Sequence, residues 1–123
     1  IEDLPTAFTA SIKGNSDGPV IAFLAEYDAL PDIGHACGHN LISLTNVGAF
    51  LGFLGLNGDF PGEVRLIGTP AEEADGGKIN LLEKNIFEDI DISLSSHGAR
   101  RSRRRHGYAN GRRDEPCRIS NYL

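Results

Sequence analysis

The sequence predicts an α/β domain in which a layered sheet is flanked by helices. Segments with strand character alternate with segments of helical periodicity, and turns rich in Gly and Pro separate them. The chain has 123 residues, which is the length of one small domain. No apolar run is long enough to span a bilayer. The predicted order is a β-hairpin, a helix, a strand, a second helix and a final strand.

The first two strands are predicted to pair as the hairpin. Residues 6–12 alternate apolar and polar side chains, as in a strand with one buried face. Residues 20–27 form a nearly continuous apolar run, which is typical of a strand buried on both faces. The segment between them, residues 13–19, contains two Gly and one Pro and is predicted to be a turn.

A longer helix is predicted over residues 40–54, with Asn40 as its N-cap. Its apolar face recurs at three- and four-residue steps and comprises Leu41, Leu44, Val47, Leu51 and Leu54. A strand over residues 63–68, a short helix over 78–86 and a buried-type strand over 91–96 complete the domain. A piece of a larger sheet is expected to leave one sheet edge and one apolar helix face uncovered.

The distribution of charge divides the chain near residue 98. Residues 1–99 contain four Lys or Arg and fifteen Asp or Glu, whereas residues 100–123 contain eight Arg and two acidic residues. We therefore predict one domain over 1–98 and an unrelated Arg-rich tail over 99–123. The tail is expected to be disordered or translated out of frame, and a functional tail would bind nucleic acid.

Residues of the types that bind metals follow three of the predicted strands. Asp28, the pair Glu72 and Glu73, and His97 each come shortly after a different strand. Because ligands bind at the carboxyl ends of strands in α/β sheets, these residues are expected at one sheet edge. Taken singly, each has a structural alternative: a turn aspartate, a solvated acidic turn or a packed core histidine. Their shared position favours a binding site.

Cys37 and His39 lie two positions apart in the loop between a strand and the long helix. In an extended segment both side chains point the same way, so both can reach one metal ion. A helix starting near Asn40 would also lower the pKa of the Cys37 thiol. These two residues alone are equally compatible with a buried free cysteine beside a loop histidine. A thiol hydrolase using Cys37 with His35 or His39 is a further hypothesis.

The pair Glu72 and Glu73 fits metal-assisted hydrolysis. At a turn, adjacent carboxylates diverge, so one can bind a metal while the other takes a proton from water. Asp28 is predicted to accept a ring N–H from a ligand histidine and to fix its tautomer.

Three segments resemble a known family of enzymes. The stretches FLAEYDALPDIGHACGHNLI, GTPAEEADGGK and SSHG occur in order between about Leu4 and Gly98. They resemble metallopeptidase family 20, in particular its branch of aminoacylase-like and aminobenzoyl-glutamate hydrolase-like amidohydrolases and dipeptidases. The resemblance implies part of a di-zinc peptidase-like catalytic domain. It also implies hydrolysis of the amide bond of a dipeptide or an N-acyl amino acid.

The resemblance also implies roles for individual residues. Cys37, His39, Glu73 and His97 would bind two divalent metal ions, zinc or alternatively manganese. Glu72 would be the general base and acid, and Asp28 would orient the site. The full-length form is expected to be a homodimer that acts on a small peptide or N-acyl amino acid substrate, without membrane or nucleic-acid partners.

Several features depart from the family pattern. Glu26 stands where another branch has a metal-binding histidine, Asn40 replaces a frequent aspartate and Asp75 replaces a frequent glycine. The lid domain and a distal histidine of the family are absent, so the chain is expected to be an inactive truncation. The alternative is a metal-stabilised binding module whose Arg-rich tail binds nucleic acid. With two cysteines and no secretory signal pattern, a reducing, cytoplasmic location is predicted.

Overall fold

The computed structural model describes residues 1–98, which form a four-stranded sheet with helices against both faces. The predicted α/β class is confirmed. The Arg-rich tail and the predicted boundary before it lie outside the described residues. Within residues 1–98, no helix combines the length and apolar character needed to cross a membrane. In chain order the elements are β1 (Phe8–Lys13), β2 (Ser16–Glu26), α1 (His39–Leu54), β3 (Pro61–Thr69), α2 (Glu72–Asp75), α3 (Gly77–Glu83) and β4 (Ile92–Leu94).

The sheet has the strand order β1-β3-β2-β4. β2 runs parallel to both β3 and β4, whereas β1 runs antiparallel to β3. β2 is therefore a central strand, with a neighbouring strand along each edge and one of its faces on each side of the sheet. Its continuous apolar run is that of a strand whose two faces are both packed against other layers. Ala22 and Ala25 of this strand have no exposed surface. Because three strands are parallel, their carboxyl ends share one edge of the sheet.

The predicted hairpin between the first two strands is wrong. β1 pairs with β3, from Phe8 opposite Gly68 to Lys13 opposite Glu63, and not with β2. The connection crosses the start of β3: the Gly14 N–H donates to the Gly62 carbonyl, and the next N–H donates to the Phe60 carbonyl. A Cβ on Gly14 would lie 1.9 Å from the Phe60 oxygen, so this crossing requires glycine.

Two hydrophobic clusters form the core, one on each face of the sheet. Alternate residues of a strand point to opposite faces, and β3 shows this directly. Val64 and Leu66 join the cluster that includes Phe50 of α1, whereas Ile67 joins the cluster that includes Leu81 of α3. Each face of the sheet is thus covered by a different helix. This arrangement places the loops between strands and helices at one edge of the sheet.

The predicted apolar face of α1 is not its buried face. The structure buries His39, Ile42, Asn46 and Phe50, whereas the predicted Leu41, Leu44, Leu51 and Leu54 are each more than half exposed. α1 carries apolar residues on both sides, so the three- and four-residue periodicity fits either stripe equally well. Among the described residues nothing covers the leucine stripe, in agreement with the uncovered helix face expected for part of a larger sheet.

The ends of the helices also differ from the prediction. Gly38, in the left-handed conformation at φ 78°, precedes the first residue of α1. Asn40 therefore lies inside the helix and not at its N-cap. α3 ends at Glu83, three residues before the predicted end, because Asn85 takes a positive φ of 56° that a helix does not accommodate.

Substitutions on α1 test which of its faces is buried. Ile42→Ala is expected to lower the free energy of unfolding by about 2–5 kcal/mol, because it removes buried methyl groups from a side chain that is 2% exposed. Leu44→Ala, two residues away and 68% exposed, is expected to change it by less than about 0.5 kcal/mol. Urea unfolding of both variants measures the difference. Equal losses would contradict the described orientation of α1.

Candidate metal centre

The loops at the carboxyl ends of the parallel strands bring several candidate residues together. Glu26 is the last residue of β2, and Asp28 follows it by two positions. Glu72 and Glu73 begin α2, three positions after β3 ends. His39 begins α1, which packs on β2 and β3 and so returns the chain to the same edge.

Asp28 holds the ring of His39. Asp28 Oδ1 lies 2.8 Å from His39 Nδ1, and the Asp28 carbonyl oxygen lies 3.2 Å from the same nitrogen. Both oxygens are acceptors, so Nδ1 carries the proton and donates to them. His39 is 3% exposed, and its orientation is therefore fixed by packing as well as by hydrogen bonds. Nε2 is therefore the ring nitrogen left to bind a metal, which it can do through its lone pair when the ring is neutral.

The other ring nitrogen of His39 faces two carboxylates. His39 Nε2 lies 3.3 Å from Glu73 Oε1 and 3.4 Å from Glu26 Oε2. Asp28 also fixes the backbone of Glu73, since Asp28 Oδ2 accepts a hydrogen bond from the Glu73 N–H at 3.1 Å. Burial alone would raise the pKa of Asp28, but its hydrogen bonds from the Glu73 N–H and His39 outweigh burial and hold it below the usual value.

The two oxygens of Glu72 have different surroundings. Oε1 lies 2.9 Å from Lys78 Nζ. Oε2 is buried and has no hydrogen-bond partner among the described residues, a rare condition for a buried oxygen. Lys78 also donates to Glu26, which is 6% exposed. Burial tends to lower the pKa of Lys78, but the hydrogen bonds to Glu26 and Glu72 outweigh it and raise this pKa.

Cys37 lies beside Glu73 in the loop before α1. The pKa of the Cys37 thiol is raised, chiefly through its interaction with the neighbouring Glu73 carboxylate. The prediction that the start of α1 lowers this pKa is therefore wrong, because the neighbouring carboxylate dominates. Asp28, Glu26 and Glu73 surround the ring of His39, and no hydrogen bond within residues 1–98 joins Cys37 to a histidine that could act as its base.

Within residues 1–98, neither His35 nor His97 makes a side-chain hydrogen bond or ion pair to this group. His97 follows β4 and is exposed, and its Nδ1 lies 2.9 Å from the carbonyl oxygen of Gly98. No hydrogen bond or ion pair within residues 1–98 joins His97 to Cys37, His39 or Glu73. His35 is also exposed, and His106 lies in the tail outside the described residues.

The residues present fit a divalent metal by their chemistry. A cysteine sulfur, an imidazole nitrogen and a carboxylate lie at one sheet edge, and borderline-soft metals such as zinc bind cysteine as the thiolate, neutral imidazole and carboxylate. The unpartnered Glu72 Oε2 is a buried acceptor directed at no protein donor among residues 1–98. Within these residues, however, no three His, Cys, Asp or Glu side chains are arranged to hold a metal ion together.

Sequence reasoning missed the participation of two residues in this group, Lys78 and Glu26. Glu26 stood out only as a departure from a family pattern, although an ionisable residue at the end of an apolar strand is itself a signal. Lys78 gave no signal, because its partner Glu26 is 52 positions away in the chain.

Three similar proteins have been identified by comparison with known sequences and structures. The chain is 47% identical over 103 residues to the Xaa-Arg dipeptidase of Mus musculus, covering 76% of this chain and 24% of that protein. It is 33% identical over 117 residues to a p-aminobenzoyl-glutamate hydrolase chain of Escherichia coli, covering 79% and 24%. The Bacillus subtilis YXEP structure, described as a dinuclear metal-binding peptidase of the M20 family, superposes with a TM-score of 0.62 at 33% identity, covering 75% of this chain and 30% of that one.

The matched segment is a small part of each curated relative. The chain spans only about a quarter of the length of these proteins. No protein-family model matches the chain. The relatives are hydrolases, and neither they nor the described residues support the nucleic-acid-binding alternative, whose Arg-rich segment lies outside residues 1–98.

Proposed function

The chain belongs to the M20 peptidase family, and from this premise we propose that it carries part of the active site of a metal-dependent amidohydrolase or dipeptidase. One observation above all supports the proposal. The ring of His39 is fixed through Nδ1 by Asp28, and its Nε2 faces Glu73, whose backbone the same Asp28 also binds. A carboxylate that orients a histidine in this way is typical of metal sites.

In the proposed site, two divalent metal ions would be held by Cys37, His39, Glu73 and His97. The thiol, imidazole and carboxylate donors favour zinc, and manganese is the alternative. Bound metal lowers the pKa of water and polarises the scissile carbonyl.

Glu72 is the general base and acid. Its Oε2, which has no partner among the described residues, accepts a proton from the attacking water and returns it to the leaving nitrogen. Asp28 acts through His39, because it holds the ring that would otherwise rotate.

The substrate is a small molecule with an amide bond next to an amino acid carboxylate. The names of the mouse and bacterial relatives point to a dipeptide or an N-acyl amino acid. The active form is proposed to be longer than residues 1–98, to dimerise with a second copy, and to work in the cytoplasm, where Cys37 stays reduced.

A chimera tests the proposed function. Residues 1–98 replace the matching segment of the mouse dipeptidase, and hydrolysis of Xaa-Arg dipeptides and N-acyl amino acids is measured by release of the free amine. We expect activity that a chelator abolishes and added zinc restores. Activity that survives the chelator but is lost on alkylation of thiols would contradict the proposal and support Cys37 as a nucleophile.

Asp28→Asn tests the orienting role of this residue. The change is expected to weaken zinc binding by the chimera by about 10–100-fold, because the His39 ring loses a charged partner. Asp32→Asn is the matched control: Asp32 is exposed at a positive φ of 65°, a conformation that asparagine adopts readily. Isothermal titration with zinc measures both. Equal affinities for the two variants would contradict the role of Asp28.

A further inference from the structure

Lys78 connects the end of a central strand to the candidate general base. Its ammonium donates to Glu26 at the carboxyl end of β2 and lies 2.9 Å from Glu72 Oε1 at the start of α2. The two carboxylates are far apart in the chain, so one side chain joins two separate loops of the site. Neither Lys78 nor Glu26 has a part in the proposed chemistry.

Glu26 is the fixed end of this connection. It is 6% exposed, and a buried carboxylate is costly unless a cation and hydrogen bonds compensate its charge. Among the described residues Lys78 is the one ammonium in contact with it. The backbone of Glu26 is held in the sheet, since it pairs with Thr69 of β3. The position of the Lys78 ammonium is therefore tied to the sheet.

The backbone before Lys78 is equally constrained. The Gly77 N–H donates to the Ala71 carbonyl at 3.1 Å, which closes the turn containing α2. A Cβ on Gly77 would lie 1.7 Å from the Pro70 oxygen, so the start of α3 lies directly against the end of β3. Both the backbone and the ammonium of Lys78 are therefore held in defined positions, and the ammonium is the group that contacts Glu72.

We infer that Lys78, anchored by Glu26, is a positioning residue that orients the Glu72 carboxylate. It occupies Oε1 and leaves Oε2 as the one unpartnered oxygen of that carboxylate among the described contacts, so that a single oxygen is presented to the reacting water. The inference rests on the proposed function, in which Glu72 is the general base. A merely structural ion pair would stabilise the turn without distinguishing the two oxygens.

Carboxylate labelling of the full 123-residue chain tests this inference. The chain is treated with a carbodiimide and glycine ethyl ester, and tandem mass spectrometry gives the labelling rates of Glu72 and its neighbour Glu73 separately. In Lys78→Met the ratio of the Glu72 rate to the Glu73 rate is expected to rise by up to about fivefold, the upper range for loss of an ion pair of this exposure. Lys78→Arg, which keeps the positive charge and the donors, is expected to restore most of the original ratio.

Lys84→Met is the matched control, since Lys84 Nζ contacts Asp3 Oδ2 at 3.0 Å and belongs to the same region of the chain. It should speed the labelling of Asp3 and leave the ratio of Glu72 to Glu73 unchanged. An unchanged ratio in Lys78→Met, or equal increases at both glutamates, would overturn the inference, because loosening of α2 exposes both. Titration of the parent chain with zinc is a separate experiment. A lack of zinc binding would count against the proposed function, whereas the labelling ratio tests only whether Lys78 orients Glu72.

Discussion

Glu72→Gln is expected to lower kcat of the chimera by roughly 10²–10⁴-fold, the range for loss of a general acid–base group. Glutamine keeps the size of the side chain and an acceptor oxygen, but it cannot accept and return a proton near neutral pH. The zinc content is expected to remain that of the parent, because Glu72 is not among the proposed ligands. Steady-state hydrolysis and metal analysis of the same preparation measure both quantities.

The matched control is Glu83→Gln at the end of α3. Glu83 is exposed, and the same loss of one negative charge there is expected to leave kcat and zinc content unchanged. If Glu72→Gln is as active as its parent, the assignment of the general base is wrong. If it loses zinc in proportion to activity, Glu72 is a ligand and not the base.

His39→Gln is expected to weaken zinc binding by the chimera by roughly 100-fold or more. A structural zinc site gains about 10–16 kcal/mol from about four ligands, so one ligand accounts for several kcal/mol. His35→Gln is the control in the same loop, since His35 is exposed and has no proposed role. Isothermal titration with zinc is the measurement. Similar affinities in the two variants would contradict the assignment of His39 as a ligand.

Because His39 is buried, its replacement also alters packing and the contact with Asp28. Urea unfolding in the presence of a chelator shows whether the variant is still folded. A folded His39→Gln variant with unchanged zinc affinity would show that His39 is not a ligand. Asp28→Asn, at a less buried position, provides a second measurement of the same ring.

The fold class followed from local patterns in the sequence. The apolar run of β2 predicted a strand buried on both faces, and its alternate residues confirm this: Ala22 and Leu24 join one hydrophobic cluster, whereas Ala25 joins the other. The positions of Asp28 and Glu73 after different strands predicted a shared sheet edge, and the parallel arrangement of β2, β3 and β4 produces it. Such features depend on residues that are near one another in the chain, so they can be predicted from the sequence alone.

Strand pairing and helix orientation depend on distant residues and were predicted incorrectly. β1 lies beside β3 because Gly14 allows the chain to cross next to Phe60, which no local pattern reveals. α1 is apolar on both sides, and its orientation follows the stripe that begins at His39 and includes Asn46. Asn46 donates to the Ile42 carbonyl and to Ser96, so even its buried polar group is satisfied.

The ion pairs around Glu72 were also beyond sequence reasoning. Lys78 meets Glu26 only because β2 and α3 approach each other in three dimensions. His97 shows the opposite case: its place after β4 predicted a ligand, but its contact within the described residues is with the adjacent Gly98. Its assignment as a ligand stays a prediction.

The central claim is that Cys37 and His39 belong to one metal centre, and cobalt absorption tests it most directly. The full chain is titrated with Co²⁺ in a Cys117→Ser background, so that Cys37 is its one thiol. We predict the intense near-ultraviolet band of a cobalt–thiolate bond, which zinc displaces and which both Cys37→Ser and His39→Gln abolish. No band at saturating Co²⁺, or a band that persists in His39→Gln, would contradict a shared centre.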